Sequence, residues 1–157
     1  MLMLRSGRAA IAALALVLAA ASLAGAGEAA LVRALDFGSI GLSPVGDAIV
    51  IDAGKGAAQP VAGRSVVRGG GSGQINVFSA DPVHVRITYP DRVELNCNGR
   101  TRYLVDMRSH SQYGQTGFDL LANETRTVQF GGRLVLPPGE SSATCRGAVR
   151  IVVDFDY

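Results

Sequence analysis

The end of the chain alternates in side-chain character without a break. Cys145, Gly147, Val149, Ile151, Val153, Phe155 and Tyr157 share one face, and Arg146, Ala148, Arg150, Val152, Asp154 and Asp156 share the other. Successive side chains of a strand point to opposite faces, so this spacing predicts one long strand over 145–157. Its apolar side turns inward and its charged side meets water.

The same period of two recurs upstream. Val83, Val85, Ile87 and Tyr89 alternate with His84, Arg86 and Thr88 before Pro90-Asp91 turns the chain. Val93, Leu95 and Cys97 then point one way, and Asn98-Gly99 supplies the positive-φ pair of a tight hairpin turn. On the return, Tyr103, Val105 and Met107 are expected to face the core. Further strands are expected at 31–37, 48–52, 65–67, 74–78, 126–130 and 132–136. Past the first residues no stretch carries the periodicity of an amphipathic helix. Short strands joined by Gly, Pro, Asn and Asp turns predict an all-β sandwich or barrel rather than a βαβ fold.

The first residues follow another rule. Arg5 and Arg8 precede an apolar run from Ala9 to Leu23, and Ala24-Gly25-Ala26 has the small residues of a signal-peptidase site. The run is shorter than a membrane span needs, so residues 1–26 read as a signal peptide cleaved after Ala26, with no membrane span afterwards. Residues 27–157 then form a single domain that is expected in the periplasm or at the cell surface. The precursor has 15 Lys and Arg against 13 Asp and Glu. Its basic excess is Arg5 and Arg8, and it leaves with the leader. The remaining arginines are dispersed, which argues against nucleic-acid binding, since phosphate contact needs a concentrated positive patch.

Cys97 and Cys145 are the only cysteines. In an exported chain an even count reads as a disulfide. With those two so engaged, His84 and His110 stand too far apart in sequence to suggest a metal site. Ser109-His110-Ser111 sets hydroxyls beside an imidazole, but no Gly-x-Ser-x-Gly elbow surrounds them and neighbours in an extended segment point apart. The glycine-rich stretch 69–73 lacks the Lys and the helix of a phosphate cradle. No catalytic residue, metal or other cofactor is expected. The polar segment 109–117, which carries Tyr113, reads as an exposed loop suited to contacts.

Two stretches of the chain resemble a bacterial secreted family, the domain of unknown function 4402, which is grouped with pilin-like proteins. One is Leu35-Asp36-Phe37-Gly38-Ser39-Ile40; the other runs from Phe130-Gly131-Gly132-Arg133-Leu134-Val135-Leu136-Pro137-Pro138-Gly139 through the closing strand. The resemblance implies an immunoglobulin-like antiparallel β-sandwich in fimbrial or surface structures, with no catalytic residues to carry over. Partners would be identical or related subunits and a periplasmic chaperone. Assembly would proceed by strand addition, with 31–37 as the candidate donor strand and Leu31, Leu35 and Phe37 as its inserting side chains. Alternation is equally consistent with 31–37 being the first strand of its own domain. The competing expectation is a monomeric periplasmic or extracellular binding module that uses the 109–117 loop.

Overall fold

A computed structural model describes residues 15–18, 27–41, 45–62, 65–97, 99–113, 117–138 and 145–157. The expected cleavage site at 24–26 and Asn98 of the hairpin lie outside these residues. Within them the regular elements are all strands apart from one 3₁₀ turn at Ser111–Tyr113. The all-β expectation holds.

One sheet has four strands, in the order β1 (Ala15–Leu18), β14 (Ala148–Asp156), β8 (Val83–Thr88) and β11 (Phe118–Leu120). β1 lies parallel to β14, and the other pairs are antiparallel. A larger sheet runs β13 (Cys145–Arg146), β9 (Arg92–Cys97), β10 (Arg100–Ser109), β12 (Glu124–Leu136), β4 (Asp47–Ile51) and β5 (Ala58–Pro60). It also carries β7 (Gly73–Ser79) on β12 and β2 (Gly27–Arg33) on β7. A short ribbon pairs β3 (Ser39–Gly41) with β6 (Val66–Arg68). The sequence pattern missed the three-residue strands β3, β5 and β11, where alternation has little room to register, although the equally short β6 answers to the strand expected at 65–67; β1 lies within the expected leader.

A single core joins the sheets. Val83, Val85, Val149 and Ile151 contribute from the first, and Ile49, Ile75, Leu95, Leu104 and Phe130 from the second. Leu35 and Phe37, in the connection after β2, are buried in the same cluster. Each such side chain contributes about 1.5–3 kcal/mol through removal from water.

Three expectations need correction. First, 126–130 and 132–136 form one strand, β12, rather than two. Its first half pairs with β7 up to Phe130↔Gly73, and its second half pairs with β4 from Gly132↔Ile51 onward. Gly131 marks the exchange, where a Cβ would lie 1.9 Å from the Ile51 carbonyl oxygen. The glycine pair that reads as a break is a point of close backbone approach.

Second, β10 does not send Tyr103 and Val105 to the core. Leu104 is fully buried and Met107 nearly so. A bulge shifts the register between Val105 and Arg108, with Asp106 at φ 54°. One extra residue inverts the facing of all that follow it, so Leu104 and Met107 share a side that a strict period of two forbids.

Third, the closing strand is divided. Cys145 pairs with Cys97 in the larger sheet, the chain crosses at Gly147, and Ala148–Asp156 enters the smaller one. A Cβ on Gly147 would lie 2.4 Å from Leu95 Cδ2. The expected inward face survives the crossing, since Cys145, Val149, Ile151 and Val153 are all buried. It ends before Tyr157, which is exposed.

A disulfide joins Cys97 to Cys145 across β9 and β13, closing a sequence separation of 48 residues. Restricting the unfolded chain by a loop of that length contributes about 4 kcal/mol. Replacing both cysteines by alanine should lower the free energy of unfolding by about 2–4 kcal/mol, read from the urea midpoint at unchanged slope. Gly131→Ala should cost about 1–3 kcal/mol by overpacking against Ile51. Gly41→Ala, whose added Cβ meets nothing nearer than 3.6 Å, should change stability by less than about 0.5 kcal/mol in the same measurement.

Candidate functional site

Two places in the ladders bear on function. The first lies where β8 and β10 outrun their neighbours. Pairing of β11 with β8 reaches Val85 and stops, and pairing of β9 with β10 reaches Val105 and stops. Beyond these points 86–88 and 106–109 each have one edge with no strand beside it among the described residues. A cleft of about 730 Å³ opens there, with Ile87 and Met107 as its apolar part and Arg86, Arg108, Asp52 and His110 around them.

The geometry of the cleft is held from beneath. Tyr89 Oη and Ser109 Oγ are 2.7 Å apart, tying the chain just past β8 to the end of β10. Burial pushes the Tyr89 phenol up to about 12, against the opposing effect of the Ser109 hydrogen bond, so it remains a neutral hydroxyl. Its ring also packs on Phe130, with centroids 5.7 Å apart.

On one side, Asp52 folds its own loop. Its Oδ1 accepts from the amides of Gly54 at 2.9 Å and Lys55 at 3.0 Å. The Lys55 amide, with that of Gly54 and the charges of Lys55 and Arg108, outweighs desolvation and holds the carboxyl below its ordinary value. Opposite it, His110 Nδ1 accepts from the Gln112 amide at 3.1 Å. That bond assigns the proton of the neutral ring to Nε2. A Cβ at Gly54 would fall 2.6 Å from Nε2, so only the absent side chain lets the ring lie against the Asp52 turn.

The second place is the edge of β14. Residues 148–151 pair in parallel with β1, from Ala15↔Ala148 to Leu18↔Ile151. Pairing with β8 begins only at Val152. Among the described residues β1 is therefore the sole strand neighbour of 148–151. Val149 and Ile151 nevertheless turn fully inward.

The residues singled out from sequence take definite positions. Leu31 lies half-buried on β2, opposite Ile75 of β7 in the same chain. Leu35 and Phe37 are each only 1% exposed. Arg33, the polar interruption of that segment, donates to the Ser72 carbonyl at 2.9 Å and to its hydroxyl at 3.1 Å. The strand expected at 31–37 is therefore displaced: only 31–33 lie in a strand, the end of β2, and Leu35 and Phe37 follow it in the connection.

The Ser109-His110-Ser111 stretch shows no hydroxyl on the imidazole, since Ser109 is engaged with Tyr89 and Nδ1 with Gln112. Tyr113 is not presented outward as the loop reading suggests. Its hydroxyl donates to the Thr127 carbonyl at 3.0 Å and its ring packs on Phe118. His84, on the face of β8 opposite Val83 and Val85, meets Asp119 at 2.6 Å across β8 and β11. That partner was invisible without β11. Among the described residues no three His, Cys, Asp or Glu side chains gather to hold a metal ion.

The model of the family described as domain of unknown function (DUF4402) matches residues 28–155. No curated protein and no solved structure matches the chain.

Asp47 and Asp52 give the connections around β4 an acid sensitivity. Asp47 Oδ1 accepts from Ala48 at 2.8 Å and Ala62 at 3.0 Å, and its Oδ2 accepts from the Ser65 amide at 3.1 Å. Desolvation opposes ionisation of Asp47, yet the hydrogen bonds from Ala62, Ala48 and Ser65 prevail and its carboxyl titrates below the ordinary value. Both groups therefore contribute stability that is complete above the unfolded-state value of about 4 and is lost as pH falls through the lower folded values. Urea midpoints should fall as pH drops below about 4, and Asp47→Asn should flatten that decline.

Proposed function

The chain belongs to the DUF4402 family, and from that premise we propose that it is an exported, non-catalytic surface subunit of pilin type. In this reading its strands form an immunoglobulin-like sandwich that assembles with further copies by strand addition. An uncovered strand edge is a row of unsatisfied backbone donors and acceptors, and a second chain can complete it.

The observation that carries the reading is the edge at 148–151. Its strand neighbour, β1, lies inside the segment whose charges and apolar run read as a cleaved leader. Loss of that segment would leave these backbone groups unpaired beside Val149 and Ile151. The occupant in the assembled form is the N-terminal strand of the next copy, and a periplasmic chaperone would cover the edge before assembly.

The donor is narrower than 31–37. Withdrawing Leu35 and Phe37 from the home core would cost about 1.5–3 kcal/mol each. They stay, and with Arg33 on Ser72 they anchor the segment. Upstream, β2 pairs with β7 alone among the described residues, and its inward side chains Ala29 and Leu31 are only half-buried. Residues 27–31 of β2 in a neighbouring copy are the part free to move, with Leu31 as the main apolar anchor.

The cleft between β8 and β10 supports a second reading, a monomeric binding module that presents its ligand site at the start of the 109–117 loop.

Leader-free protein should form oligomers or fibres by size-exclusion chromatography and electron microscopy. Removing 27–31 should leave a β-rich circular dichroism spectrum and a monomer. Fibres formed by the shortened protein would overturn the assembly reading.

A further inference from the structure

We propose that the cleft between β8 and β10 binds an acidic sugar, with its carboxylate held by Arg86 and Arg108 and its hydroxyls by Asp52, His110 and Ser111. This assignment rests on the binding-module reading.

The argument begins with charge. Arg86 and Arg108 line the cleft from different sheets and both are exposed. Three other arginines are engaged, Arg33 with Ser72, Arg126 with Glu124 and Arg133 with Asp106, and the exposed Arg68, Arg100 and Arg150 lie outside the cleft lining. Arg86 and Arg108 have no ion pair or hydrogen bond among the described residues. Asp154, directly opposite Arg86 on β14, does not come within ion-pair distance of it. The Arg108 charge already acts on the Asp52 carboxyl, without an ion pair between them. Guanidinium groups bind carboxylates in a two-point planar fork, so two exposed ones lining one concavity favour a ligand of that shape.

The cleft also contains an anion, which narrows the ligand further. Asp52 spends its Oδ1 on the Gly54 and Lys55 amides, while its Oδ2 has no partner among the described residues. A phosphate dianion would meet repulsion from this carboxylate. A sugar acid carries one negative charge and several hydroxyl donors, so the same molecule satisfies the arginines and the aspartate. The His110 Nε2–H and the Ser111 hydroxyl provide further polar contacts at the rim.

Shape agrees with chemistry. Ile87 and Met107 give an apolar wall against which the C–H face of a pyranose can lie. A volume of about 730 Å³ falls within the usual range for small-ligand sites and accommodates one or two sugar rings. The edges left open on 86–88 and 106–109 add backbone donors and acceptors to the same walls.

The test is calorimetry and amide-shift mapping by NMR on the purified protein. The probes are glucuronate, a trigalacturonate, glucose and inorganic phosphate. Binding of either acid with shifts at 86–88 and 106–111, and none with glucose or phosphate, is the expected result. The two acids distinguish a free sugar from a polysaccharide chain as the source. Arg86→Gln and Arg108→Gln should each weaken binding by about tenfold, while Arg150→Gln, outside the cleft, should leave it unchanged. Thermal midpoints of the variants should match the parent, because both arginine side chains are exposed. Equal binding of glucose would overturn the carboxylate assignment and leave the binding module standing. Shifts from no probe at all would overturn both, and fibre formation would be read separately by microscopy.

Discussion

The larger sheet depends on the backbone ladder of β12. A strand has two edges, yet this one serves three neighbours, with β10 along one edge and β7 and then β4 along the other. That is possible because thirteen residues are long enough to be divided. At the division the Ile51 carbonyl approaches Gly131 more closely than any side chain would permit. Removal of β12 would detach β7, and β2 with it, from the rest of the sheet. The ladder therefore sets where the N-terminal strand lies, and hence how Leu35 and Phe37 reach the core.

A second constraint ties the two sheets together at the other end of the chain. Gly147 lets the backbone pass close to Leu95 as it leaves one sheet for the other. The disulfide holds the first half of that crossing to β9. As a result the closing strand contributes apolar side chains to the core from both sheets, and its segment 148–151 takes β1 as its strand neighbour in the smaller one. The cleft has a related origin. It lies where β8 and β10 continue past the ends of β11 and β9, so unequal strand lengths, rather than an inserted loop, make the concavity.

How much of the candidate site was legible follows from what alternation can express. Arg86 and Ile87 were assigned to opposite faces of one strand, and the start of the 109–117 loop was marked as a contact region. Their approach to Arg108 and Asp52 depends on which strands are neighbours, and no local pattern encodes that. Met107 shows the limit within a single strand: the bulge at Asp106 delivers it to the core by adding a residue, and Leu104 was missed for the same reason. Tyr113 was read as exposed because its surroundings are polar, while the Phe118 ring it meets lies on a strand too short to detect.

The amino-acid order alone determined that the chain is built from strands, which faces of the closing strand turn inward, and that Cys97 and Cys145 are partners. These follow from nearest-neighbour alternation and from a count of two, both local or compositional properties. Tertiary structure alone decided that β12 is one strand with divided partners, that the final strand changes sheets, and that the N-terminal segment pairs with β7. Each of these is a choice among backbone edges that are chemically alike. Hydrogen-bonding groups do not differ from one strand to the next, so only the joint packing of all the side chains selects which edge each strand occupies.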